Sequence, residues 1–67
     1  MTLEEAIKTA IVHEKKVQEI YVQATRDAKD AIGKRVFKLL AGEEYQHVLF
    51  LEKQLAQWLS EGKVDQG

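Results

Sequence analysis

Apolar residues recur along the first half of the chain at Leu3, Ile7, Ala10, Val17, Tyr21, Ala24 and Ala28, in steps of four and three once Glu14 is counted as a member. The second half repeats the alternation at Phe37, Leu40, Glu44, His47, Leu51 and Trp58, with polar Gln54 on the step between the last two. Positions spaced in this way share one face of an α-helix, whereas a strand would alternate with period two. A flanking row of Ala41, Val48 and Leu55 widens the second stripe, and Phe50 lies beside it. Two helices packed lengthwise are predicted.

Their ends follow from local chemistry. Thr2 and Glu5 have the Thr-x-x-Glu spacing of a capping box, which starts the first helix at about residue 3 and carries it to about 28. Asp27-Ala28-Lys29-Asp30 reads as the connection, with Asp30 as N-cap of a second helix over about 31–60. Gly62 is a natural stop, and 61–67 should be a frayed tail. There is no proline, and good helix formers dominate. Gly33 and Gly42 each weaken the second helix by about 1 kcal/mol relative to alanine; Gly42 would also permit a close backbone approach.

So short a connection makes an antiparallel hairpin, a single domain over 1–67. Two helices cannot enclose a core, and each would leave half its stripe in water. Chains of this size rely on disulfides, metal or self-association. The absence of cysteine removes disulfides, thiolate metal sites and iron–sulfur clusters. The expected fold class is therefore all-α: a helical hairpin that dimerises into a four-helix bundle, as a homodimer or higher homo-oligomer.

Charge narrows the partners. Ten basic and eleven acidic residues are interspersed, for a net charge of −1, which gives no support to nucleic acid binding. The start, Met-Thr-Leu-Glu-Glu, lacks the basic and apolar regions of a signal peptide, and runs such as Val48 to Leu51 are too short to span a membrane. A soluble, cytoplasmic protein is expected.

Within this frame the charged seam positions stand out. A Glu-x-x-His pair such as Glu44 and His47 arises by chance about one time in four in a chain of this composition. Here both residues fall on the apolar stripe, where an unpaired charge is heavily penalised. Glu14 lies on the other stripe, about 14 residues before the turn, and Glu44 about 14 after it, so an antiparallel hairpin brings them level. Carboxylate and imidazole donors suit iron and manganese, and zinc is compatible. Two hairpins would contribute four carboxylates, whose charge balances two divalent ions with the histidines neutral. A glutamate from each of two helices plus a Glu-x-x-His from each of the others is the ligand set of di-iron and di-manganese bundles. Clustering in a desolvated core should also raise some of the carboxyl pKa values in metal-free protein. His13 falls about 100° round the helix from Glu14 and reads as a flank residue. Glu43 reads as a solvated neighbour, and Trp58 as packing at the bundle end.

Glu14, Tyr21 seven residues on, a turn, and then Leu40-Ala41-Gly42-Glu43-Glu44-Tyr45-Gln46-His47 together resemble a rubrerythrin-type member of the ferritin-like superfamily, over roughly residues 5–57. The resemblance implies that Glu44 bridges two metals, that Glu14 is a terminal carboxylate and His47 a terminal nitrogen ligand, and that Tyr21 hydrogen-bonds a ligand carboxylate. It implies no catalytic residue beyond these, two iron ions per dimer, and ferrous iron, O2 or peroxide as substrate. Typical members carry two such hairpins in one polypeptide; this chain has one, so a second copy would supply the other half. Two departures matter. Val17 stands where rubrerythrins often carry a further glutamate, and a cysteine-ligated rubredoxin centre is absent. The alternative expectation is a non-catalytic helical dimerisation module with a buried polar network.

Overall fold

The computed structural model describes residues 1–63, and the described part is helical: α1 spans Leu3–Asp27 and α2 spans Ala31–Glu61. Thr2 and Glu5 form the reciprocal cap, with the Thr2 amide donating to Glu5 Oε1 at 2.9 Å and the Glu5 amide to Thr2 Oγ1 at 3.1 Å. Acidic Glu4 and Glu5 in the first turn and Arg26 in the last complement the helix dipole. α1 ends one residue before the expected position, where Ala28 turns to extended backbone.

Asp30 caps α2 by accepting the Gly33 amide at 2.6 Å. A Cβ on Gly33 would lie 3.2 Å from that carboxylate oxygen, so this glycine makes room for a tight cap and does more than weaken the helix. Lys34 reaches back across the turn to the Thr25 carbonyl at 3.3 Å. At the far end Gly62 adopts left-handed backbone with φ 70° and donates its amide to the Trp58 carbonyl at 2.9 Å. Of the expected frayed tail at 61–67, Glu61 is the last helical residue, and 64–67 lie outside the described residues.

The two helices pack against each other along their length, as a hairpin. Among the described residues four are buried: Ile7, Ile11, Val48 and Gln54. Much of the rest of the two stripes is half-buried, as expected when neither helix can surround the other. Two details differ from the stripe read in the sequence. Leu3 stays 43% exposed, and Ile11, outside the heptad series, is buried instead. Ile7 and Ile11 are about 40° apart round the helix, so the buried line at this end runs between them, while Leu3 is the first residue of α1 and lies at the end of the packed pair.

Large apolar side chains remain on the outside. Ile32, Val36, Leu39 and Phe50 of α2 are all exposed, and at 100° per residue they fall within about 80° of His47 round the helix. The opposite side of the hairpin holds a shallow groove of about 460 Å³ between Ile11, Val12, Leu55 and Leu59. Gly42 is exposed, and a Cβ there would meet nothing within 4 Å, so the close approach expected at this glycine is not made inside the hairpin. No helix among the described residues is long and apolar enough to cross a membrane.

Candidate metal centre

Each helix brings its polar seam residue to the same level. Glu14 is the fourth-turn residue of α1, and Glu44 and His47 sit one turn apart on α2 near its middle. Equal counting from the turn predicts this meeting, and the hairpin realises it. Ligand atoms of Glu14, Glu44 and His47 all lie within 4.8 Å of one another. His47 Nδ1 is 3.4 Å from Glu14 Oε2 and 3.4 Å from Glu44 Oε2. The imidazole therefore sits over the gap between the two carboxylates.

The three side chains differ in depth. Glu44 is 16% exposed, Glu14 25% and His47 57%. The pair of acids lies beneath a ring that faces the side of Ile32, Val36 and Phe50. Glu44 Oε2 is buried, and among the described residues it has the 3.4 Å approach of His47 Nδ1 but no well-formed hydrogen bond. A buried acceptor without a well-formed hydrogen bond is costly, and a cation placed there would satisfy it.

The electrostatics are those of an acid pair with a base above it. Glu44 is pushed above the usual carboxylate range, first by sharing a proton with Glu14, then by desolvation and by the Glu14 charge. Glu14 is held below that range by the same hydrogen bond with Glu44, against desolvation and with help from His47. His47 is raised, chiefly through its hydrogen bond to Glu14, with Glu44 adding to it against desolvation. The expected rise in carboxyl pKa thus falls on Glu44, and its partner moves the other way.

Two carboxylates and one imidazole fit a divalent first-row cation by donor type. Three donors from one hairpin leave coordination positions to be filled, and the open side is that of His47. Tyr21 lies one heptad from Glu14, about 10 Å along the axis. It is half-buried; its carbonyl accepts the Thr25 hydroxyl at 2.8 Å, and its phenol makes no hydrogen bond to the three ligands within the hairpin. His13 and Glu43 are exposed, Trp58 is half-buried, and Lys15 pairs with Glu52 across the helices at 3.6 Å.

Two amides beyond the site, Gln54 and Gln57, are not among the residues the sequence marks as functional. Gln54, noted only as a polar step in the stripe, is 5% exposed. Gln57 Oε1 is buried without a donor among the described residues, while its amide nitrogen donates to Glu61 at 3.4 Å. The seam position of Gln54 was the available signal; nothing in the spacing marks Gln57.

Comparison with known protein families, with curated proteins and with solved structures gave no match.

Proposed function

We propose that the chain is a di-iron or di-manganese carboxylate protein whose metal pair is assembled across a homodimer, and that it oxidises ferrous iron or reduces O2 or peroxide. The observation that carries this reading is the convergence of Glu14, Glu44 and His47 within 4.8 Å around the buried Glu44 Oε2, which has no well-formed hydrogen bond among the described residues. Glu14, Glu44 and His47 would hold the metal, and the resemblance to rubrerythrins implies Glu44 as the bridging carboxylate with Glu14 and His47 as terminal ligands. The metal pair, when bound, supplies one-electron redox chemistry; the chain supplies donor geometry, and the apolar residues round the site restrict water. The resemblance to rubrerythrins rests on residue spacing and adds the choice of iron and of oxygen or peroxide as reactant.

The need for a second copy has its own support. The hairpin exposes 5174 Å², about a fifth more than the roughly 4,300 Å² of a compact monomer of this mass. The excess, about 850 Å², is close to the ~800 Å² that each partner gives to a standard interface. Ile32, Val36, Leu39 and Phe50 provide apolar surface on the side where His47 opens. A copy seated there would close the site and complete its coordination.

Native mass spectrometry of protein loaded anaerobically with ferrous iron tests the reading. A dimer carrying two ions is expected, with a near-ultraviolet iron absorption growing on exposure to air. Well below one ion per chain would refute it. A dimer that binds metal without redox change would point to zinc or manganese in a non-catalytic site. A metal-free dimer would favour the interaction module, for which the buried Gln54 is the specific support.

A further inference from the structure

Charge is unevenly divided along the hairpin. Residues 20–42, the end that contains the turn, carry five basic side chains and two acidic ones, Asp27 and Asp30. Both acids are engaged locally: Asp27 accepts from the Gln23 side-chain amide at 3.0 Å, and Asp30 caps Gly33. Arg26, Lys29, Arg35 and Lys38 are exposed and make no ion pair among the described residues. The rest of the chain sets the other five bases against nine acids, and setting aside Glu14 and Glu44 as ligands still leaves it acidic by two. There Lys8 and Lys15 are paired, with Glu4 at 2.8 Å and Glu52 at 3.6 Å. The hairpin thus has a basic turn end and a mildly acidic remainder.

The metal-binding group stands midway along this axis. Glu14 is 13 residues before the last residue of α1, and Glu44 is 13 after the first of α2. That is about 20 Å from the turn, in a molecule 47 Å long. Two hairpins can meet through the face of Ile32, Val36, Leu39 and Phe50 with their turns side by side or at opposite ends. Both arrangements bury the same apolar side chains, and the hydrophobic gain follows area without regard to direction. It does not choose between them. Charge and length do. With turns side by side, two basic ends would share one end of a bundle whose helices lie about 8–10 Å apart, close to the Debye length of ~8 Å at physiological salt. Turned end for end, each basic end lies along its partner's more acidic part. In that arrangement the helices overlap fully and the two groups come level only if each group lies halfway along its hairpin, as it does. Side-by-side turns would keep the groups level at any height and leave the midpoint unexplained.

We propose that the second copy binds end for end, its turn against the open end of the first, and that the unpaired cations of the turn select this direction. The occupant is a second copy of the chain, so the inference rests on the homodimer reading above and adds the direction of pairing. The chain has no cysteine of its own, so Ala31→Cys, exposed at the start of α2, takes one spin label per chain without changing its charge. Native mass spectrometry of the zinc-saturated labelled protein should show the dimer. Double electron–electron resonance on the same sample should give an inter-chain distance of about 40–50 Å, at least twice the span from turn to metal group. Side-by-side turns would give about 30 Å or less. Arg35→Glu with Lys38→Glu, in that background, reverses the net charge of the turn end. This variant should keep its helix content by circular dichroism and its dimer, and the short distance should appear beside the long one. So should it in the parent at about 1 M NaCl, where the Debye length falls to about 3 Å. A short distance alone in the parent would overturn the direction of pairing while the homodimer stands. If neither charge reversal nor salt brings out the short distance, the selecting role of the cations is overturned. A monomer in the native mass spectrum would overturn the homodimer itself, and the direction with it.

Discussion

Metal binding should displace protons, and the number displaced should change with pH in a way the site dictates. An ion held by Glu14, Glu44 and His47 needs both carboxylates ionised and the imidazole neutral. In metal-free protein Glu44 is raised above the ordinary 4.5 by its shared proton with Glu14, and His47 above 6.5 by its bond to Glu14. Between these two raised values one proton leaves per ion bound, so apparent affinity should climb about tenfold per pH unit. Towards and below the Glu44 value a second proton must leave, and the climb approaches about a hundredfold per unit. Above the His47 value it flattens. Calorimetric titration with Mn(II) at about pH 6, in buffers of different ionisation heat, reads the count directly. A heat independent of buffer, or an affinity unchanged from about pH 5.5 to 7.5, would refute the clustered site.

The same shifts set the stability of metal-free protein, with the signs worked group by group. Glu44 and His47 bind protons more tightly when folded, so their contributions are full below 4.5 and 6.5 respectively and are lost as pH rises through the folded values. Glu14 does the reverse: its contribution is present above 4.5 and lost as pH falls through its lowered value. The metal-free thermal midpoint should therefore peak in mildly acidic solution and decline towards pH 8. Saturating Mn(II) should invert that slope, because the ion competes with the protons that stabilise the empty cluster.

Other expectations can be checked at fixed chain concentration. Val48→Ala removes two methyl groups from the most buried side chain and should cost about 2 kcal/mol, a fall of roughly 8–16 °C in midpoint by circular dichroism. Asp30→Ala deletes the 2.6 Å cap on Gly33 and should cost about 1 kcal/mol in urea denaturation, with metal stoichiometry untouched. Glu44→Leu with His47→Leu should abolish metal binding by native mass spectrometry and yet raise the metal-free midpoint, as buried acid is replaced by apolar packing.

Much of this hairpin was legible because helical periodicity and capping chemistry are local. The capping box at Thr2, the cap at Asp30 and the stop at Gly62 each depend on a few neighbouring residues, and the helices end within one residue of expectation. The meeting of Glu14 with Glu44 followed from counting outwards from one turn. What was hidden needed the packed pair. The tight contact of Gly33 exists only once the Asp30 carboxylate has turned back onto its amide. The exchange of Leu3 for Ile11 in the core depends on where the packed pair ends and which flank of the stripe the second helix covers, which a heptad count ignores. The exposure of His47 against the depth of Glu44 depends on where the second helix leaves the site uncovered, and one helix's pattern carries no information on that.

On the proposed reading, splitting the site between two chains would have a thermodynamic consequence. Two hairpins joined in one polypeptide by a short flexible linker would be held at an effective concentration of order 1 mM. Free hairpins at about 1 μM begin a thousandfold lower, a disadvantage of roughly 4 kcal/mol in bringing the halves together. An ion that binds only the completed site contributes about 4 kcal/mol when present at a thousand times its dissociation constant. The two quantities are of the same size, so metal availability alone can carry the pairing of hairpins that self-associate weakly. On the proposed reading, assembly and metal loading are then one equilibrium, and the midpoint of dimerisation should move to lower chain concentration as free metal rises. A dimer whose dissociation constant ignored metal across that range would place the carboxylates and imidazole in each hairpin alone, with no shared site between them.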